Sequence, residues 1–244
     1  MRSETAVSAA ARVARWQILS AEEQAKAESF RAEEHRAAYV DSHAALRSIL
    51  GCYLRVEAAD VPLLMGSGDG AGTSKPSLAP QTNPNDLRFN LSHTHGAALV
   101  GVTLGRELGV DIEFRRPIED LEEMARSVMS SEELGHWLAL GDGERVSAFY
   151  HLWTRKESYL KATGVGLYGI LKEITVPVSV SILDGVGGEA CRVRDDAGGG
   201  LWMVTDIVAG EDISASVCFE GPSEPDIAVF DLDWAAKDGV GAGL

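Results

Sequence analysis

The chain has 244 residues, 45% of them hydrophobic, and a formal net charge of −15. This length is enough to bury a full core, as one large domain or two small subdomains. The acidic excess argues against non-specific binding to nucleic acid or to an anionic membrane, so we expect neither partner. An anionic ligand must therefore meet locally clustered lysine, arginine or histidine side chains.

Cysteine usage and the N-terminal sequence indicate a cytoplasmic protein. Cys52, Cys191 and Cys218 are far apart and match no metal-binding spacing, so we expect buried thiols in a reducing cytosol and no zinc site. No apolar run approaches the ~20 residues of a membrane helix. Arg12 and Arg15 interrupt the Ala-rich N-terminus where a signal peptide needs its apolar core, and we expect a first strand there rather than an organellar leader.

The N-terminal segment is expected to hold that strand and two helices. Val13–Leu19 is predicted as a short strand, and Ser20 can cap a helix that starts with acidic residues. Residues 39–54 have an apolar stripe typical of a second helix. The basic side chains around that stripe are expected to face solvent; they are Arg36, His43 and Arg47.

A loop and a hairpin follow. Residues 66–85 are rich in Gly, Ser, Pro and Asn and contain Lys75, which by itself indicates only an exposed turn. Residues 89–103 are predicted as two strands joined by a turn at residues 92–96. His93 and His95 stand at this turn and would be half of a metal site, but no third ligand of matching softness is near in sequence.

Two acidic residues share one face of the next predicted strand, residues 110–114. Side chains alternate across a strand, so Asp111 and Glu113 point the same way while Val110, Ile112 and Phe114 point the other way. Residues two apart lie ~6.5 to 7 Å from each other, close enough for both carboxylates to reach one cation. The alternative is a half-solvated strand whose acids face water.

A charged residue lies on the apolar face of a helix that follows this strand. Residues 118–140 are predicted to be helical, with a helix start at 130–133, and residues 146–164 form a helix ended by Gly164. Its apolar face is predicted to contain Val146, Phe149, Tyr150, Trp153 and Leu160. Glu157 falls in the middle of this face, where an unpaired carboxylate costs several kcal/mol.

Glu157 therefore needs a partner. Lys161 lies one turn further on and Lys156 flanks the other edge of the face, so one interpretation is a structural ion pair covering a core helix. The other is a site for a hard cation that faces an anion, in which Asp111 and Glu113 join Glu157. Mg²⁺ fits this description best because it takes oxygen ligands and is commonly completed by substrate phosphates, which indicates metal-assisted phosphoryl or nucleotidyl chemistry.

The C-terminal part is predicted to be mostly sheet. Residues 174–183, 200–208 and 213–220 are expected to be strands of one antiparallel sheet with Gly-rich turns, and residues 226–234 a last strand. The tail from Ala235 is small and polar and is expected to be mobile.

Three motifs in this order resemble the surfactin-type 4′-phosphopantetheinyl transferases: FNLSHTHG, GVDIE and WTRKESYLK. The resemblance covers residues 13–220. It implies an α+β fold, a pseudo-two-fold single chain of two similar α/β subdomains with the ligand cleft between them, and a monomer. On this basis we divide the chain into an N-terminal subdomain (1–105), a C-terminal subdomain with the metal site (106–220), and a last strand with a mobile tail (221–244).

The resemblance also implies roles for individual residues. Mg²⁺ would be held by Asp111, Glu113 and Glu157. The contacts to coenzyme A would come from six residues: Lys26, Lys75, Ser92, His93, Lys156 and Lys161. Among them, Lys156 and Lys161 would contact the pyrophosphate, and His93 the 3′-phosphate. Ser74 stands where the family usually has Gly before the lysine, and Arg36 and Arg47 match the family's basic positions only nearby; Arg88 is a possible substitute in gripping the nucleotide.

The implied reaction is attack by a serine of an acyl or peptidyl carrier protein on coenzyme A, with release of 3′,5′-ADP. Catalytic roles fall on Glu157 as proton acceptor, Lys161 as the cation facing the departing phosphate, and Asp111. We expect a mainly hydrophobic carrier interface with local arginines such as Arg115, Arg116 or Arg126. Two alternatives are a coenzyme A or carrier-binding module without catalysis, and a Mg²⁺-dependent phosphohydrolase.

Overall fold

The computed structural model describes residues 8–64, 66, 75–94, 96–165, 171–178, 190–195, 200–222 and 226–232. Backbone contacts divide the chain into two units, one made of residues 1–62 and 230–244 and one of residues 63–229. The predicted subdomains, residues 1–105 and 106–220, rest on an expected similarity between two halves of the chain. Contacts between residues do not measure such a similarity, so this division stays a prediction. Among the described helices, none is long and apolar enough to cross a membrane.

The described part of the first unit is helical: α1 (Ala9–Ile18), α2 (Ala21–Glu28) and α3 (Glu33–Leu54). The predicted strand at residues 13–19 is wrong. The Ser8 hydroxyl accepts a hydrogen bond from the Ala11 N–H and starts a helix at the Ala-rich run, where alanine's helix propensity outweighs the short apolar alternation. The predicted cap at Ser20 is confirmed, because Ser20 and Glu23 form a reciprocal capping box.

A buried ion pair ties α2 to α3. Glu23 is fully buried and accepts a hydrogen bond from Arg47 Nε at 2.6 Å, and His43 Nδ1 lies 3.0 Å from its other oxygen. Burial by itself would raise the pKa of Glu23, but the hydrogen bonds of His43 and of the Ser20 N–H, together with the Arg47 charge, lower it to about 2. The expectation that His43 and Arg47 face solvent is therefore wrong.

The second unit contains the strands and the remaining helices. The hairpin predicted for residues 89–103 is confirmed as β3 (Leu87–Thr94) and β4 (Ala97–Leu104), preceded by the short pair β1 (Leu63–Leu64) and β2 (Ser77–Leu78). The predicted turn at residues 92–96 begins too early, because β3 continues to Thr94 and His93 lies in the strand. The predicted acidic strand is confirmed as β5 (Leu108–Phe114). The helices are α4 (Leu121–Val128), α5 (Ser131–Leu138) and α6 (Asp142–Thr163), which ends at Gly164 in the left-handed conformation.

The sheet prediction is right in part. Five short strands complete the unit: β6 (Ile174–Thr175), β7 (Cys191–Arg192), β8 (Arg194–Asp195), β9 (Trp202–Asp206) and β10 (Ile213–Glu220). The four-stranded antiparallel sheet has the order β5-β10-β9-β7, whereas β6 pairs with β8 in a separate sheet. The described residues 226–232 have no strand, and Phe230 is 62% exposed, so this prediction is wrong there.

Residues 185–188, where one of the Gly-rich turns between the C-terminal strands is expected, and the tail from 235 lie outside the described residues. Among the cysteines, Cys218 is buried as expected, Cys191 is half-buried, and Cys52 is exposed, against expectation.

Helix α6 lies unusually close to β5. A Cβ atom placed on Gly109 would lie 2.1 Å from the Ser158 carbonyl oxygen and 2.3 Å from the Ala162 nitrogen. Any side chain at this position would therefore push the helix away. On the neighbouring strand, the Ser216 side chain is also small, and its hydroxyl lies 3.1 Å from that of Ser158. Small residues under the helix thus fix the distance between α6 and the acidic strand.

Candidate active site

The centre of the site is a hydrogen-bonded group on β3, β5 and α6. Asp111, which is 3% exposed, accepts hydrogen bonds at Oδ1 from the Ser92 hydroxyl at 2.9 Å and from Lys161 Nζ at 2.6 Å. Lys161 also donates to the Ser92 oxygen at 2.9 Å. The predicted Glu157–Lys161 pair on one helix is therefore replaced by a pair between Lys161 and Asp111.

The middle position of α6 holds a buried carboxylate, as predicted for Glu157. It is 7% exposed, and its Oε1 is buried with no hydrogen-bond partner in the described part of the chain. Burial and the negative charge of Asp111 raise the pKa of Glu157 to about 7; Glu113 adds to this and Lys161 opposes it. Asp111 Oδ2 is likewise buried and unpartnered. Among the described residues, these two buried carboxylate oxygens thus have no hydrogen-bond donor.

The third acid is held by a residue that the sequence analysis missed. Thr94 Oγ1 donates a hydrogen bond to Glu113 Oε2 at 3.0 Å. Burial raises the pKa of Glu113, the Thr94 hydrogen bond opposes this, and the Asp111 charge raises it further. Ser92 and Thr94 on β3 thus match Asp111 and Glu113 on β5, which fits the prediction that both acids share one face. The signal available in the sequence was the S-x-T spacing beside D-x-E.

The acids are near each other but do not form a closed metal cage. Among the described residues, no group of three or more His, Cys, Asp and Glu side chains lies close enough to enclose a metal ion. The oxygen donors present are nevertheless those that a hard cation prefers. An ion that keeps most of its water shell would need only one or two of them.

Lys156 is not part of this group. Its side chain is 1% exposed, and its Nζ lies 2.6 Å from Glu133 Oε2 and donates to the carbonyl oxygens of Val128 at 2.8 Å and Leu171 at 2.6 Å. Burial lowers its pKa, and Glu133 opposes this. All three N–H bonds of the ammonium are occupied, so the predicted contact between Lys156 and a pyrophosphate does not fit its position.

The other predicted ligand contacts lie further from the acids. Lys75 Nζ donates to Glu107 Oε2 at 2.9 Å and to the Leu108 carbonyl oxygen at 2.7 Å, and Arg88 donates to the same Glu107. His93 is exposed, and since its neighbours in β3 point towards the acids, its side chain projects from the opposite face. His95 and Ser74 lie outside the described residues.

Lys26 belongs to the first unit. Lys26 is on α2, and its ammonium lies 5.7 Å from the centre of the ring of Phe30, which follows that helix. The group described above is composed of residues of the second unit and does not include it.

The fold is of the α+β class, and its site combines carboxylates, which can bind a cation, with a lysine, which can bind an anion. Comparison with known proteins shows the family to which the chain belongs. The 4′-phosphopantetheinyl transferase superfamily matches residues 107–202. The 4′-phosphopantetheinyl transferase HetI of Nostoc sp. is 38% identical over 203 residues, 83% of this chain and 79% of HetI. The 4′-phosphopantetheinyl transferase Sfp of Bacillus subtilis is 38% identical over 82 residues, 34% of this chain and 35% of Sfp. The chain belongs to the 4′-phosphopantetheinyl transferase superfamily.

Proposed function

We propose that this protein transfers the 4′-phosphopantetheine arm of coenzyme A to a serine hydroxyl of an apo acyl or peptidyl carrier protein and releases 3′,5′-ADP. The observation that carries the proposal is that Asp111, Glu157 and Lys161 lie together and that each acid has one buried oxygen without a partner among the residues that the structure describes. Family membership supports the reaction type.

The residues present fit a magnesium ion. Buried carboxylate oxygens without donors cost several kcal/mol unless something binds them, and Asp111 Oδ2 and Glu157 Oε1 are two such atoms. Mg²⁺ usually keeps several waters and takes one or two carboxylates plus substrate phosphates, so these two oxygens, with Glu113 as a third acid, would hold it. When bound, the ion would neutralise charge on the phosphoryl oxygens.

Glu157 is the group placed to accept the serine proton. Without a metal the pKa of Glu157 is raised to about 7; a bound Mg²⁺ would lower it again and keep the carboxylate ionised, which is the form that can accept a proton. The serine Oγ forms the new bond to the phosphorus that bears the pantetheine arm, and the bond from this phosphorus to the 3′,5′-ADP oxygen breaks. The proton moves to Glu157, and the electron pair of the broken bond leaves with 3′,5′-ADP.

Lys161 supplies a positive charge for the departing phosphate. Its side chain is 30% exposed, and two of its N–H bonds go to Asp111 and Ser92. The third can donate to a phosphate oxygen and offset the charge of the departing group. Asp111 thereby positions Lys161 in addition to offering its free oxygen.

The residues that contact the nucleotide of coenzyme A are also part of the proposal. Ser92, His93, Lys75 and Lys26 are assigned to it from the family motifs, and Lys75 would have to share its ammonium with Glu107. Lys156 is left out because its ammonium is fully occupied. The pseudo-two-fold relation of the subdomains and the monomeric state also stay predictions.

The test is the intact mass of an apo carrier protein after incubation with this protein, coenzyme A and Mg²⁺. Transfer adds one phosphopantetheine, about 340 Da, and EDTA should abolish the gain if the metal is required. The Glu157→Gln variant should lose transfer, whereas Glu123→Gln, at an exposed residue of α4, serves as a matched control. Coenzyme A binding without transfer to any of several carriers would favour a binding module, and free phosphopantetheine would favour a phosphohydrolase.

A further inference from the structure

The acidic face of β5 continues into an arginine. Gly109, Asp111, Glu113 and Arg115 alternate with the apolar residues of the strand, and the Arg115 N–H still pairs with the Asp212 carbonyl oxygen at 2.8 Å. Arg115 therefore extends the row that faces α6. Its Nη1 lies 3.4 Å from Ser147 Oγ and 3.4 Å from His151 Nε2.

Helix α6 runs antiparallel to this row. Lys161 meets Asp111 at one end of the row, and Ser147 and His151 meet Arg115 at the other. Glu157 lies between these ends on the helix, near enough to both acids for their charges to raise its pKa. Since residues two apart on a strand are ~6.5 to 7 Å apart, Arg115 is the next side chain along from Glu113.

A buried acid lies beside the histidine that contacts Arg115. His151 is 2% exposed, and its Nδ1 lies 3.2 Å from Asp206 Oδ2. Asp206 is itself fixed by two hydrogen bonds from Arg155, at 2.8 and 2.6 Å. The Nδ1 atom lies near this carboxylate without a hydrogen bond of ordinary geometry, and Nε2 is the ring nitrogen that faces the arginine. His151 and Ser147 thus fix the position of the guanidinium.

The charge of Arg115 is not balanced within the second unit's described residues. No carboxylate among them lies within ion-pair distance of its guanidinium, although the chain has a net charge of −15 and many of its other arginines are paired. Arg115 is also half-buried, so its charge is less screened by water than that of a fully exposed arginine. Such a group is suited to bind an anionic oxygen from outside the chain.

We propose that Arg115, positioned by His151, binds a carboxylate of the carrier protein close to the acceptor serine. This inference rests on the proposed function. The phosphates of coenzyme A are expected at the Lys161 and Ser92 end of the row, and the serine must reach Glu157. The carrier then approaches Glu157 from the opposite end, where Arg115 lies.

The test compares Michaelis constants for the two substrates, using the intact-mass assay. Arg115→Ala should raise the KM for the carrier roughly tenfold, the effect expected of one lost charge pair, while the KM for coenzyme A and the kcat stay within about twofold. Arg115→Lys should recover part of the loss because it keeps the charge. Arg194→Ala is the matched control, since it removes one arginine whose charge is paired with Glu132 at 2.6 Å.

His151 is tested through its coupling to Arg115. Gln at position 151 can place an acceptor oxygen near the Nε2 position, so His151→Gln should keep a low carrier KM, while His151→Ala should raise it. In an Arg115→Ala background, His151→Ala should add nothing further. If His151→Ala does not fold, the Arg115 variants and His151→Gln still decide the question.

The outcomes separate the two proposals. A rise in the KM for coenzyme A instead of the carrier would overturn the assignment to a carrier carboxylate and move Arg115 to a phosphate. Unchanged constants in Arg115→Ala, with an active parent enzyme, would refute the inference and leave the function standing. A parent protein without transfer activity towards any carrier would overturn both.

Discussion

Replacing Glu157 by Gln distinguishes a structural ion pair from a functional site. The folded-state pKa of Glu157 is raised from 4.5 to about 7, so the unfolded chain releases this proton at a lower pH than the native protein. The stability of the native state should therefore fall as the pH rises from about 4.5 to about 7. Gln is neutral at every pH and escapes this penalty.

The size of the effect follows from the shift. One pKa unit corresponds to about 1.4 kcal/mol, so the shift of Glu157 from 4.5 to about 7 gives an upper limit of about 3.5 kcal/mol. Rearrangement of the site and entry of water reduce it, and we expect Glu157→Gln to be about 1 to 2 kcal/mol more stable than the parent at pH ~8 without metal, with no difference near pH ~4.

Urea unfolding at the two pH values measures this difference, with Glu123→Gln as the control for charge. Mg²⁺ should raise the unfolding midpoint of the parent more than that of Glu157→Gln, since the variant lacks one metal oxygen. The transfer rate should fall by about 10²- to 10⁴-fold, the usual contribution of a general base. A variant that is less stable than the parent at pH ~8 would show that Glu157 is part of a structural pair, and the reasoning would fail.

Three further predictions concern the frame, the first unit and the metal. Gly109→Ala should lower the transfer rate by about 10²-fold. The new Cβ atom would lie about 1.3 Å closer to the Ser158 carbonyl oxygen than an ordinary 3.4 Å contact allows, and a misplacement of catalytic groups by 1 Å has effects of this order. Gly135→Ala is the control and should keep full activity, because its Cβ would meet no atom within 4 Å. Glu23→Gln should destabilise the protein by about 3 kcal/mol at neutral pH by leaving Arg47 buried without its carboxylate, and the loss should shrink as the pH falls from 4.5 towards 2, which urea unfolding would show. Mg²⁺ added near pH 7 should release protons as Glu157 ionises, measurable by titration calorimetry in buffers of different ionisation enthalpy, and calorimetry without proton release would contradict this.

Local periodicity was enough to place the acids. The alternation in β5 correctly set Asp111 and Glu113 on one face, and the helical spacing in α6 correctly placed Glu157 among buried residues. The cap at Ser20 was equally local. Each of these inferences needs only the geometry of one strand or one helix turn, which the sequence specifies directly.

Partner choice could not be predicted because it depends on elements far apart in the chain. The one-turn spacing favoured a pair between Glu157 and Lys161, but β5 brings Asp111 to Lys161 instead. Lys156 is adjacent to Glu157 in sequence, yet the helix turns it towards Glu133 and the carbonyl oxygens of Val128 and Leu171. A helical pattern tells which side chains share a face, not which neighbours that face will meet.

Lys161 alone does not balance the negative charges of the three acids in the site. One ammonium donates to Asp111 Oδ1 and Ser92, while Asp111 Oδ2 and Glu157 Oε1 are buried without a hydrogen-bond donor among the described residues. A Mg²⁺ ion held by these acids would offset their mutual repulsion, and the third N–H of Lys161 would donate to a phosphate oxygen. The fold keeps this imbalance because the missing Cβ of Gly109 holds α6 against β5, so that the acids cannot move apart to relieve it.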